Sequence, residues 1–361
     1  MFEKKNLRDL LILIFFIYSL FCALTIGQAW DEIDNYLRGK ITLDYLFSLG
    51  NIKEDAFLRE SYSTLYWSFR YLLTNIFPQK YLIEVGHVIN LIFSFSILFG
   101  IKKIGKELFN DYVGKISFVL LFFLPFFFGH FAVNGKDTIL ALCHVWIFYY
   151  LIKYLKKQTK YKDNNYFLKI GILTATATGI QLVFIGSLIP LMILFLLEIF
   201  YLKNIISKHF SIKKMFKDIF KGFVFFYFIL IIFWVDTHQN ILTKPFLFLM
   251  SVYSDGYPTG WQYNLTGGEY FLSKNVNWDY ILLNLFYKLP EFFLVLYLFF
   301  PFIVYRKIKN FKKINKFFKY NLFLIITILV FPTLILLFIP FPVYDGLRLF
   351  LWFVPYLCLV P

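Results

Sequence analysis

Cysteine is scarce and dispersed in this chain of 361 residues. Its three cysteines, Cys22, Cys143 and Cys358, lie inside apolar runs, so they offer neither a disulfide framework nor a thiolate zinc site and read as packing residues. Charge is also sparse, at 16% of residues, against about a quarter in soluble domains. The sequence has no phosphate-cradling glycine loop of the Walker or dinucleotide kind, no His-Glu-x-x-His and no Cys-x-x-Cys. Nothing in it is built to bind a free nucleotide. Arginine is rare as well, six residues against 31 lysines.

What fills the chain instead is hydrocarbon. Apolar residues make up 59% and aromatics 23%, more than a water-soluble core absorbs. Long apolar runs recur throughout, among them Leu10 to Trp30, Ile116 to Phe128, Gly222 to Val235, Phe293 to Tyr305 and Leu322 to Pro340. Several approach the length that crosses a bilayer. The pattern predicts an all-α integral membrane protein of roughly ten transmembrane helices in a single domain over residues 1–361.

The net charge of +15 would suit nucleic acid, but its distribution points elsewhere. Five loop clusters, within 4–8, 102–115, 153–169, 203–221 and 306–319, hold 26 of the 37 basic residues. They fall in every second connection, as the positive-inside rule requires of cytoplasmic loops. The alternate loops carry the other 11 basic residues and 15 of the 22 acidic ones, leaving the outer face at −4. No nucleic-acid partner is needed to account for the charge.

Helix one runs outward and delivers Asp31-Glu32 just past its apolar stretch. Gly27-Gln28-Ala29 resembles a signal-peptide cleavage site, but the run is long for one, so an uncleaved helix is expected. The outer loop 31–80 contains, over 57–77, a helical spacing of Leu58, Tyr62, Leu65, Tyr66, Phe69 and Leu73 that predicts an interfacial helix. Helices three and four form a hairpin with its tip at 129–137. The run 167–202 is too long for one crossing, so two short helices should meet near Gln181 to Gly186. A second outer loop covers 236–288. The last helix follows Arg348 and reaches Pro361 without a polar tail, the pattern of a truncated C-terminus or of a short member of its class.

With this sidedness the polar constellations outside the lysine loops share one face: Asp31-Glu32-Asp34, Asn134-Lys136-Asp137, Asp236 with His238, Asp255, Glu269, and Tyr344-Asp345-Arg348. Ionisable groups at the hydrocarbon boundary cost energy unless they pair or line a cavity, so their gathering marks a candidate site. Four of the six arginines, Arg38, Arg59, Arg70 and Arg348, also lie there, where a planar fork can grip phosphate. His87 and His144 read as satisfied core groups, and His130 as either a cap or a site contact. The sequon at Asn264 reads as coincidence.

The motifs Asp31-Glu32, Gly129-His130-x-x-x-Asn134-x-Lys136-Asp137 and Tyr344-Asp345-Gly346-x-Arg348 resemble those of polyprenyl-phosphate-dependent GT-C glycosyltransferases, notably the dolichyl-phosphate-mannose protein mannosyltransferase group and similar bacterial proteins. The segment with Trp261, Gly267-Gly268 and Trp278 before Lys288-Leu289-Pro290 is similar to that group's large outer loop. The resemblance implies transfer of a sugar, outside the cytoplasm of a bacterial-type plasma membrane, from a polyprenyl-phosphate donor to a lipid, glycan or protein acceptor. It implies catalytic roles for Asp31, Glu32 and Asp137, and donor-phosphate contacts for Lys136, Tyr344, Asp345 and Arg348. His130, Asn134 and Trp261 become candidate acceptor or donor contacts, with Tyr257, Tyr263 and Trp278 as further candidates beside the acceptor. No metal ligand set is visible, although some GT-C enzymes use a divalent cation that outer carboxylates could hold. The chain departs from the pattern with Ser61-Tyr62-Ser63 where relatives carry a His-Pro-Pro-like stretch, and with Gln181 where many carry Arg. The competing readings are a transporter or flippase, which would place charges at mid-membrane in repeated broken helices, and a non-catalytic assembly partner.

Overall fold

The computed structural model describes residues 2–52, 63–158, 165–254, 263–273, 276–310, 316–338 and 343–360. In chain order its elements open with α1 (Phe2–Thr25), α2 (Glu32–Phe47), α3 (Leu65–Thr74), α4 (Leu82–Leu108), α5 (Asp111–Phe122) and α6 (Pro125–Phe128). There follow α7 (Asp137–Lys157), α8 (Tyr166–Ile180), α9 (Phe184–Ser187), α10 (Ile189–Leu197) and α11 (Ile212–Ile232). Beyond these lie α12 (Lys244–Ser254), β1 (Tyr263–Thr266), β2 (Glu269–Leu272), α13 (Tyr280–Lys288), α14 (Glu291–Asn310), α15 (Lys316–Phe338) and α16 (Val354–Leu357).

Four helical stretches among the described residues are long and apolar enough to cross a membrane: Gln79–Leu108, Asp137–Lys157, Phe184–Leu202 and Tyr320–Leu337. Leu10–Thr25, Tyr166–Ile180 and Glu291–Ile303 are shorter apolar helices. Large apolar side chains stand exposed along α1 (Leu10, Leu13, Ile17, Phe21) and α11 (Phe216, Phe220, Phe223), a surface suited to lipid rather than water.

At the centre, α4 packs against α1, α5 and α7, and α7 passes the contact on to α8 and thence α11. The α4 row Ile97, Leu98, Ile101 and Ile104 is fully buried, as are Ala141, Cys143 and Val145 of α7. Where α8 crosses α11, Gly171 and Gly222 let the backbones touch. A side chain at Gly171 would strike the Gly222 carbonyl, and one at Gly222 the Phe167 carbonyl. Small residues at such crossings replace the hydrophobic drive that lipid does not provide.

The expected break inside 167–202 lies where anticipated: α8 stops at Ile180, Gln181 turns extended, and α9 begins at Phe184. Other expectations change. The loop 31–80 holds a helix, α2, that hydropathy alone does not reveal, because its face toward α3 is small and polar. Of the interfacial helix expected over 57–77, Leu65–Thr74 is helical, and residues 57–62 lie outside the described residues. Tyr66, Trp67, Ser68 and Arg70 of that helix are buried against neighbouring elements rather than spread on a surface. In place of a long tenth helix after Arg348, a 3-10 turn over Arg348–Phe350 leads to the single turn of α16. Pro355 near its start removes an amide donor there. The segment Leu349–Val360 is nonetheless wholly buried, pinned by Tyr356 Oη to His144 Nδ1 (2.8 Å) and by Tyr297 Oη donating to Leu357 O (2.6 Å).

Candidate functional site

The site assembles from the α1–α2 corner, the start of α7, the end of α13 and the turn before Arg348. α1 stops at Thr25, and Ile26 to Asp31 lead into α2, whose first turn carries Glu32 and Asp34, where carboxylates suit the helix dipole. The neighbours Asp31 and Glu32 then diverge. Glu32 turns inward and is buried: Oε1 accepts from Arg70 Nη2 (2.7 Å), while Oε2 lies 2.8 Å from His87 Nε2 and accepts from the Ala29 amide (2.9 Å). His87 also meets the Ala23 carbonyl through Nδ1 (2.9 Å), tying α4 to the end of α1. Burial opposes the Glu32 charge, but the His87 bond, the Ala29 amide and Arg70 outweigh it, so its pKa is lowered. Glu32 is thus a fully engaged carboxylate that fixes the α1–α2 corner, and Arg70, one of the outer arginines considered for phosphate, is spent on it.

Asp31 faces the other way. Its Oδ2 accepts from Arg348 Nη2 at 2.5 Å. The same guanidinium gives Nε to Asp137 Oδ2 (2.9 Å) and Nη1 to Asp345 Oδ2 (3.1 Å). Residues as far apart as 31 and 348 therefore meet on one cation. Burial works against the Arg348 charge, but Asp137 and then Asp31 overcome it, and the pKa is raised.

Asn134 sets Asp137 in place at the start of α7. Its Oδ1 accepts from the amides of Lys136 (3.2 Å) and Asp137 (2.8 Å), and its Nδ2 donates to Asp137 Oδ2 (3.0 Å) and lies 3.3 Å from His130 Nδ1. Asp137 is buried, and its Oδ1 has no hydrogen-bond partner among the described residues. Burial lowers the His130 pKa against the pull of Asp137. Lys136 is half-buried immediately ahead of α7.

The turn that presents Arg348 is tightly defined. Asp345 and Gly346 both take positive φ (61° and 64°), a pairing that favours Asp-Gly or Asn-Gly. Tyr280 Oη donates to the Gly346 carbonyl (2.9 Å), and Asn264 Nδ2 donates to the Val343 carbonyl (3.4 Å). Asn264 belongs to a β-hairpin in which β1 pairs antiparallel with β2, Tyr263 opposite Leu272, around Gly267-Gly268 at φ 63° and 88°.

Above these groups opens a cavity of about 600 Å³ lined by Trp30, Asp31, Tyr263, Asn264, Leu265, Asn284, Lys288, Tyr344, Asp345, Gly346 and Arg348. Asp31, Tyr344, Asp345 and Arg348 stand together there, with Asp137, Asn134 and His130 directly behind. Glu32 lies outside the group, Trp278 does not line the cavity, and Asp236 and His238 sit in a separate 3-10 turn. Trp261, Tyr257, Asp255 and Arg59 lie outside the described residues. No three His, Cys, Asp or Glu side chains converge as a metal set among the described residues, and the carboxylates gather on Arg348 instead. Lys288, Asn284 and Trp30 carry no site role in the sequence reading, where Lys288 enters only as part of the Lys288-Leu289-Pro290 motif. The available signal was Lys288 itself, a lysine on the face where lysines are few, next to the Leu289-Pro290 break.

No family model, curated protein or solved structure matches the chain.

Proposed function

We propose that the chain is a multi-pass glycosyltransferase of the GT-C type, crossing the membrane roughly ten times. In this reading it moves a sugar from a polyprenyl-phosphate donor to a lipid, polysaccharide or protein acceptor on the extracytoplasmic face of a bacterial-type plasma membrane. The observation that carries it is the Arg348 guanidinium, shared by Asp31, Asp137 and Asp345 at the wall of a cavity of about 600 Å³. A carboxylate that can reach solvent beside a cation that can hold phosphate is the minimum such a transfer needs.

A lipid-phosphate sugar already carries its leaving group. The protein has to remove a proton from the acceptor hydroxyl and stabilise the charge that gathers on the departing phosphate. Asp137 is buried, whereas Asp31 and Asp345 are both about half exposed; of these two, Asp31 suits the base, because Asp345 is built into the positive-φ turn that presents Arg348. A donor phosphate entering the cavity competes for the exposed edge of Arg348, displaces Asp31 from it and leaves that carboxylate to accept the hydroxyl proton. The bond from the anomeric carbon to the phosphate oxygen breaks with its electron pair, the acceptor oxygen bonds to that carbon, and the proton ends on Asp31. One displacement inverts the anomeric configuration. Asp137, anchored by Asn134, holds Arg348 in place throughout.

The test is reconstitution. Purified protein in liposomes made with the source cell's lipid extract should release free polyprenyl phosphate, measured by liquid chromatography and mass spectrometry, and Arg348→Met should abolish that release. Equal release by wild type and Arg348→Met would remove the guanidinium from the chemistry.

A further inference from the structure

The site as described is short of positive charge. Arg348 already serves three carboxylates through all three of its nitrogens. A donor phosphodiester adds one negative charge, and the departing monoester carries up to one more. A single guanidinium shared in this way cannot balance them.

Among the described residues, Lys288 is the cation in the cavity wall that stands outside the Arg348 ion pairs. It is the last residue of α13, whose inner side is buried through Tyr280, Ile281 and Asn284. Leu289 turns extended and Pro290 follows, so the helix stops there and the ammonium stays at the cavity. Nζ has no ion-pair partner within 4 Å among the described residues; it lies over the Phe126 ring, 5.0 Å from the centroid. It also presses on the Arg348 turn: a Cβ at Gly346 would overlap Nζ and come within 3.0 Å of Asn284 Oδ1. The positive φ favours glycine there, and any side chain would also have to push the lysine tip aside. Burial lowers the Lys288 pKa and the Asp345 carboxylate pulls it the other way, so the half-buried ammonium feels that charge without being paired to it.

We infer that Lys288 is the second cation for the lipid phosphate, placed across the Asp345-Gly346 turn from Arg348 to take up the charge that appears when the sugar leaves. The assignment rests on the transferase reading above and adds a residue and a preference to it: the site holds a phosphate monoester, the product headgroup, more tightly than the diester donor. An ammonium kept only to pack on Phe126 would show no such preference.

The experiment measures binding to detergent-purified full-length protein by calorimetry. The probes are farnesyl phosphate, its methyl diester, farnesol and inorganic phosphate, and the proteins are wild type, Lys288→Met and Lys288→Arg. Wild type should bind the monoester more tightly than the diester, and both more tightly than farnesol. Lys288→Met should weaken the monoester about ten- to hundredfold, the span of a charge-assisted hydrogen bond, weaken the diester less, leave farnesol unchanged, and regain monoester affinity as Lys288→Arg. Unchanged monoester affinity in Lys288→Met, or equal losses for monoester and diester, overturns the Lys288 assignment while the transferase reading survives. If wild type binds farnesol as well as farnesyl phosphate, or inorganic phosphate as well as the lipid, the lipid-phosphate reading itself fails and Lys288 with it.

Discussion

The three ion pairs on Arg348 should differ sharply in energy although their lengths are alike. Arg348 is 24% exposed; Asp137 is 2% exposed, Asp31 45% and Asp345 54%. A pair open to water contributes about 0.2–1 kcal/mol once screening and side-chain ordering are included. Removing one partner of a buried pair strands a charge and costs about 3–5 kcal/mol. Arg348→Met should therefore destabilise by about 3 kcal/mol, near the low end because the guanidinium edge is wet. Asp31→Asn should cost under about 1 kcal/mol. In double-mutant cycles the Asp137–Arg348 coupling should exceed about 2 kcal/mol and the Asp31–Arg348 coupling should stay below about 1 kcal/mol. The assay is unfolding in mixed micelles by rising dodecyl sulfate fraction, followed by tryptophan fluorescence. Couplings equal within about 0.5 kcal/mol, or a larger value for Asp31, would refute the division into one anchoring carboxylate and one exchangeable one.

Three further outcomes follow from the same structure. Because the Glu32 pKa is lowered in the fold, its stabilisation is present above the unfolded carboxylate value of about 4.3 and disappears as pH falls through the folded value. The stability gap between wild type and Glu32→Gln should thus be constant from pH 7 to about 5 and shrink below it, and a gap undiminished at about pH 3 would contradict the charged Glu32–Arg70 pair. At the α8–α11 crossing, Gly171→Leu should cost about 1–3 kcal/mol by overpacking, because backbone rather than a pliable side chain blocks the new atoms. Gly186→Ala, with open space around it, should change stability by less than about 0.5 kcal/mol in the same unfolding assay.

Several features of the fold were legible in the sequence because they depend on local chemistry. Runs of apolar residues between lysine clusters located α4, α7 and α15, and the excess length of 167–202 announced the break at Gln181. Parity put Asp31, Asp137, Asp345 and Arg348 on one face together with Glu32, Asp236 and His238, and it is the first four that meet on one guanidinium. The rest depended on contacts that span many residues. Asp31 and Glu32 are adjacent in sequence, yet one helical step turns them apart, and nothing local says that Arg70 and His87 wait behind only one of them. The acidic start of α2 was read as site chemistry when it is also a helix-start signal. Lys288 gained meaning only when Gly346 was found against it.

Sugar transfer with Asp31 as its base is tested most directly in the cell that makes the protein. Mass spectrometry of glycolipids and polyprenyl-phosphate sugars would compare wild type, a deletion, and Asp31→Asn with its membrane level matched. The account predicts that deletion and Asp31→Asn alike remove one sugar from an outer glycoconjugate while its lipid-linked donor accumulates. A deletion that alters glycans beside an Asp31→Asn strain indistinguishable from wild type would contradict it.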